Sequence, residues 1–169
     1  MADSPELFGG PPAVDQTGNL TVWWVPAISD LAAPKAATEI GAATAYRVTY
    51  SFVPGGWTPD GTQEKLADDR LTSPQSRESL GKTTRTLSLE YVDSTTAGSG
   101  AVVLVEGQTG FLVERRNIPQ TTLAAAAQKV ITYSVTLGAQ ISTTPDGTGK
   151  FRIKQETAVG SVTKGVLAV

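Results

Sequence analysis

The sequence predicts a mainly β protein, a β-sandwich with one or two short flanking helices, on three observations. Long stretches alternate apolar and polar residues: Tyr46, Val48, Tyr50 and Phe52 are interleaved with Arg, Thr and Ser, and Leu87, Leu89 and Tyr91 with Ser and Glu. Such alternation marks half-buried strands, because successive side chains point to opposite faces. The 17 Gly and 10 Pro, beside 40% hydrophobic residues, describe a turn-rich globular chain rather than a helical one. Finally, 169 residues suffice for one domain that buries roughly 70% of the surface its unfolded chain exposes.

Residues 1–18 hold Pro5, Gly9, Gly10, Pro11, Pro12 and Gly18 with few large apolar groups, so they read as an extended arm ahead of a single domain over 19–169. A first strand spans Asn19 to Val25. Leu20, Val22 and Trp24 face one side and Thr21, Trp23 and Val25 the other, so both faces carry apolar bulk that an element or a neighbouring molecule must cover. Pro34 opens a short helix through Ile40, with Gly41 to stop it. A strand over Tyr46 to Phe52 ends in Pro54-Gly55-Gly56. The pentapeptide Thr58-Pro59-Asp60-Gly61-Thr62 recurs as Thr144-Pro145-Asp146-Gly147-Thr148, and both copies read as hairpin tips. The polar stretch Gln63 to Gly81 reads as a long excursion and Thr84 to Val92 as a strand. Ala101 to Glu106 is either a strand or a helical turn. Further strands follow at Gly110 to Arg116, Val130 to Ile141 and Lys150 to Thr157, with an Ala-rich helical segment at Thr122 to Gln128 and an edge strand at Val162 to Val169.

The chain has no His and no Cys. That removes the commonest general acid and base, the best thiol nucleophile and the main zinc and haem ligands, so neither enzyme chemistry nor a metal or organic cofactor is expected. A net charge of -2 argues against gripping nucleic acid through its phosphates. Met1 to Gly10 carries Asp3 and Glu6 and has no basic or continuous apolar region of a secretory signal. The longest aliphatic runs, Ala101 to Val105 and Leu123 to Ala127, fall far short of a membrane span, so the expected site of synthesis is a cytoplasm.

Candidate chemical motifs are weak. Gly81-Lys82-Thr83 imitates the end of a phosphate loop, but Ser76 stands where a glycine is needed and a β pattern follows. Ser161-Val162-Thr163-Lys164 has the spacing of a serine–lysine dyad among β-branched neighbours that disfavour a helix. Asp60, Glu64, Asp68 and Asp69 match no cation loop. The aromatics Trp23, Trp24, Trp57, Tyr46, Tyr50 and Tyr91 serve a core, an interface between copies or a sugar platform, and Trp23, Trp24 and Trp57 are taken as interface candidates. Arg115 and Arg116 sit on opposite faces of one strand, so the buried one needs a carboxylate, across subunits if necessary; both join the interface candidates.

Several segments together resemble the major tail protein of long-tailed bacteriophages, particularly those of actinobacteria. They are Val22-Trp23-Trp24-Val25-Pro26, Leu87-Ser88-Leu89-Glu90-Tyr91-Val92, Gly107 to Arg115, Val130 to Tyr133 with Val135 and Gly138 to Gln140, and Phe151-Arg152-Ile153-Lys154-Gln155, in that order over 19–157. The resemblance implies a virion protein assembled in the bacterial cytoplasm, with hexameric rings stacked into a tail tube. Its strands would join across subunits into a tube-lining β-barrel. It further implies the tape-measure protein and the tail terminator as partners, with DNA passing through the lumen. In that frame the polar faces of Ala45 to Phe52 and Thr84 to Val92, namely Arg47, Thr49, Ser51, Thr86, Ser88 and Glu90, are the lumen candidates, with Glu90 placed to neutralise Arg47. A carbohydrate-binding or adhesin-type sandwich, a head decoration protein and a tail completion protein are the alternatives.

Overall fold

The computed structural model describes residues 14–68, 77–145 and 149–169. Its strands are β1 (Leu20–Val25), β2 (Tyr46–Arg47), β3 (Phe52–Asp68), β4 (Arg77–Val92), β5 (Thr109–Arg116), β6 (Lys129–Ser142) and β7 (Arg152–Val166). All seven pair antiparallel in one sheet of order β2-β1-β5-β6-β7-β4-β3. The layered packing predicted from alternation is met by this single sheet folding over on itself. Val22 and Trp24 of β1 share one core with Leu112 of β5, Tyr133, Val135 and Leu137 of β6, Ile153 of β7, and Leu87, Leu89 and Tyr91 of β4. Across the interior Trp57 of β3 meets the edge of Tyr133 at 5.6 Å between ring centroids.

Two of the connections have a clear local cause. Ile40 N–H bonds Lys35 O and Gly41 N–H bonds Ala36 O, so the expected helix is a single π turn over Ala36–Ile40. Ala101 to Glu106 resolves as a helical turn, α1 (Gly100–Val103). A buried polar network ties α1 to the sheet. Gln155 Nε2 donates to Leu104 O (3.1 Å) and Gly138 O (2.9 Å), Tyr91 OH donates to Gln155 Oε1 (2.9 Å), and Gln140 Nε2 donates to Tyr91 OH, Ala101 O and Leu104 O. The last carbonyls of the turn are thereby satisfied inside the protein.

Five local expectations are corrected. The strand expected over Tyr46 to Phe52 is interrupted after Arg47 by a 3-10 turn at Thr49–Ser51, because the chain here crosses from the β1 end of the sheet to the β4 end. Val48 N–H bonds Val22 O, Thr49 Oγ1 accepts from Val22 N–H at 2.8 Å, and Tyr50 is left 75% exposed. Thr58 to Thr62 is no hairpin tip but the middle of β3, paired with Ser88 to Thr84. The chain does not reverse here; a bulge between Phe52 and Trp57, where Gly55 takes φ +76°, only shifts the register of β3 against β4. Pro59 is tolerated because β3 is an edge strand and its missing N–H costs no ladder bond. The supposed excursion Gln63 to Gly81 is largely the two arms of a long hairpin, with 69–76 outside the described residues.

Thr122 to Gln128 forms no helix: Arg115 and Gln128 take the carbonyls of Thr122 and Leu123, and Ala127, at φ +67°, bonds Leu167 O through its N–H. Val162 to Val169 adds no new strand, since β7 runs unbroken to Val166 along β6. Thr144 and Pro145 lie in the β6–β7 connection, while Asp146 to Thr148 are outside the described residues, as is the expected arm over 1–13; Val14 to Gly18 are exposed.

Two outcomes follow from this packing. A Cβ on Gly110 would lie 2.6 Å from Trp24 Cη2, so Gly110→Ala should destabilise by about 1–3 kcal/mol in urea denaturation, with altered near-UV circular dichroism from the displaced indole. Burial, helped by the charge of Asp93 and opposed by the Gln140 hydrogen bond, raises the Tyr91 phenol from 10.0 to about 12. Below pH 10 both states keep this proton; between pH 10 and about 12 the unfolded chain has lost it and the folded chain has not. Stability should therefore fall across that window, and Tyr91→Phe should shallow the slope measured by denaturation at stepped pH.

Candidate functional site

Because the inner face is closed, any working surface must lie on the outer face or the edges. The outer face is divided. Over β1 and β5, Trp23, Val25 and Val113 are covered by Ala36 and Ile40 of the π turn and by Leu167. Over β7, β4 and β3 no element covers it among the described residues. There Thr58, Ser88 and Glu156 lie side by side across three strands, with Asp60 beside Thr86 and Glu90 beside Lys154. Ser88 Oγ donates to Glu156 Oε1 at 2.9 Å, and Arg152 Nη1 donates to Glu90 Oε1 at 3.3 Å. The bare face is therefore rich in hydroxyls, and one of its two cations is already paired.

This half ends in β3, whose outer edge has no partner strand among the described residues. Below Leu87, β4 parts from β7, so the β3–β4 hairpin leaves the sheet body. The ten residues Arg77 to Thr86 reach roughly 30 Å at strand rise. Both arms are exposed there, Leu80 at 70%, and Lys65 pairs with Glu78 across them at 3.1 Å. Trp57, half-buried at the root of β3, leaves its Nε1 buried without a hydrogen-bond partner among the described residues.

Two buried ionic groups stand behind these surfaces. Arg115 is fully buried and, contrary to expectation, meets no carboxylate among the described residues. It donates instead to Pro119 O, Thr122 O, Leu123 O, Thr21 Oγ1 and Gln128 Oε1, and lies 5.1 Å from the Trp23 ring centroid. Burial, with the nearby Arg47 charge, lowers its pKa, yet a guanidinium has ample margin to stay charged. On the inner face the buried Glu114 accepts from Arg116 Nε and, at 2.9 Å, from Tyr133 OH. The Glu114 hydrogen bond raises Arg116, while burial and then the Glu114 charge push the Tyr133 phenol far up.

Comparison with known families places these features. The family described as phage tail tube protein matches residues 10–169. The chain belongs to the phage tail tube protein family. It is thus a structural component of a phage tail. Among solved structures it is similar to a chain of the anti-feeding prophage (AFP) baseplate, determined by cryo-EM and 6-fold symmetrised, with a TM-score of 0.59 and 9% identity over 92% of this chain and 97% of that one. At that identity the likeness is one of fold. No curated protein matches the sequence.

The tail tube protein brings together only part of the set expected from sequence. Thr86, Ser88 and Glu90 share the bare face. Arg47 does not: its Nη1 donates to Gln120 O and its guanidinium lies 5.6 Å from the Trp23 centroid, while Glu90 takes Arg152 instead. Thr49 and Ser51 turn their hydroxyls inward, to Val22 and to Gly100 N–H (2.7 Å). Trp23 and Trp24 are 4% and 3% exposed within the chain itself, so they have no surface left for a neighbour. With Tyr50 exposed elsewhere, the aromatics assemble no stacking platform.

Lys82 and the Ser161–Lys164 pair lie within strands, where a helix-borne phosphate loop or serine–lysine dyad has no scaffold. Among the described residues no group of three His, Cys, Asp or Glu could hold a metal, and no helix is long and apolar enough to cross a membrane. The role of Arg115 in shaping 117–128 was missed; its adjacency to Thr21 and Trp23 on a buried strand was the available signal. Arg115→Met should remove the donor to Thr122 O and one of the two donors to each of Pro119 O and Leu123 O, at a cost of about 1–3 kcal/mol in thermal or chemical denaturation, with faster amide exchange confined first to 117–128.

Proposed function

We propose that the protein polymerises as stacked hexameric rings to form the tail tube, the conduit for DNA during ejection, with the bare face of β7, β4 and β3 as the channel wall. One observation carries this reading: the outer face is covered over β1 and β5 but uncovered, hydroxyl-rich and charge-compensated over β7, β4 and β3, ending at a long unpaired edge. A wall that DNA must slide past should offer few free cations, since each phosphate contact adds binding through counterion release. Thr86, Ser88 and Glu90 then face the lumen beside Thr58, Lys154 and Glu156.

The free edge of β3 would be closed by a strand of the neighbouring subunit, joining the sheets into one barrel and removing an edge that otherwise templates aggregation. Trp57, half-buried at the root of that strand, flanks the same contact. The hairpin would reach the next ring, since head-to-tail stacking needs segments that extend beyond the sheet body. The 6-fold symmetry of the AFP baseplate supports a hexamer. The tape-measure protein inside the channel and the tail terminator at its end are the proposed partners, with assembly in the host cytoplasm.

Purified protein should form rings or tubes with a central channel in negative stain; a persistent monomer at high concentration would overturn the reading. Thr86→Lys with Ser88→Lys should slow DNA ejection from assembled tails several-fold, with recovery at higher salt. Unchanged ejection, with both lysines labelled only from outside the tube, would move this face off the channel.

A further inference from the structure

We propose that successive copies are locked axially by an ion-pair socket built from opposite ends of this chain: the Val105–Glu106–Gly107 turn of one copy seats in a cationic mouth framed by Arg85, Arg116 and Lys164 of the next. The inference rests on the head-to-tail reading above and names the contact that it requires.

Strict antiparallel order gives the molecule two distinct ends. Val25, Thr109, Ser142, Arg152 and Val92 mark one end, and Leu20, Arg116, Lys129 and Val166 the other. Glu106 sits at the first end, on the turn that enters β5. Gly107 takes φ +78° there and its N–H bonds Leu137 O at 2.8 Å, which fixes the turn. A Cβ on Gly107 would meet nothing within 4 Å, so the turn stands proud of the surface. Val102 and Val105 beside it are 46% and 45% exposed, and Glu106 has no ion pair among the described residues.

The opposite end has the complementary chemistry. Arg85, Arg116 and Lys164 line one open cavity of about 570 Å³ whose apolar wall is Pro59, Ile131 and Val162. Of the acids nearby, Glu114 is taken by Arg116 and Tyr133, and Asp60 Oδ1 accepts from Gly61 N–H. Arg85 and Lys164 are exposed and without a carboxylate partner among the described residues. A carboxylate flanked by valines is the group that fits two spare cations above an apolar wall. Because knob and mouth lie at opposite ends of one sheet, the contact is head-to-tail, the kind that propagates along an axis when the rotation between copies does not close a ring. Charges placed this way fix orientation and partner more than raw affinity.

The test is a charge swap in the full-length chain, read by the lowest protein concentration that gives tubes in negative stain. Glu106→Lys, and separately Arg85→Glu with Lys164→Glu, should raise that concentration about tenfold or more, and the three changes together should restore it. Circular dichroism should show every variant folded, since all three positions are exposed. If the wild type forms tubes and the single reversals form them at the same concentration, or their loss is not restored by the swap, the socket is wrong while the tube reading stands. If the wild type forms neither rings nor tubes, the tube reading itself fails.

Discussion

One sheet has two faces, and a chain of this size has only enough other structure to cover part of one of them. The fold follows from how that constraint is met. Rolling the sheet lets its inner face cover itself, so Trp24 of β1, Leu89 of β4 and Leu137 of β6 share a core although they come from distant parts of the sheet order. The π turn and the C-terminal residues are just sufficient to cover the outside of β1 and β5. The remaining outer surface stays solvated, and its side chains are those that water tolerates.

That division was half legible in the sequence. Alternation in Leu87, Leu89 and Tyr91 correctly sends Thr86, Ser88 and Glu90 outward, because both faces of β4 have a single neighbour environment along its upper length. The same pattern in Tyr46 to Phe52 misleads. Sequence periodicity reports what each residue prefers, whereas the path of the chain here is set by the need to cross from one end of the sheet to the other, a long-range demand with no local signature. Thr58 to Thr62 fails for the same reason: its turn chemistry is real, but partners from Ser88 to Thr84 supply more than a turn would. The alanines of 123–127 favour a helix in isolation and lose to a buried guanidinium claiming their neighbours' carbonyls.

The buried polar groups share a common logic. Arg115, Glu114 and Gln155 are all enclosed: Arg115 and Gln155 are held by neutral oxygens, and Glu114 by Arg116 together with the Tyr133 hydroxyl. Such groups gain little net stability over an apolar replacement of the same shape, but a wrong register leaves them stranded at a cost of about 1–3 kcal/mol per group. They select one alignment of β1, β5, β6 and β7 among several that the apolar pattern alone would accept.

The β3–β4 hairpin carries a kinetic consequence. Beyond the sheet body its two strands pair only with each other among the described residues, and a two-stranded ribbon alone in water is marginally stable. The free energy for holding it in one shape must come from whatever it touches. A first encounter between two copies therefore bears the ordering cost alone, while each later arrival meets a hairpin already held in place. If copies stack through this hairpin as proposed, growth has a nucleation barrier: slow to begin in free solution, fast once a template presents an ordered end.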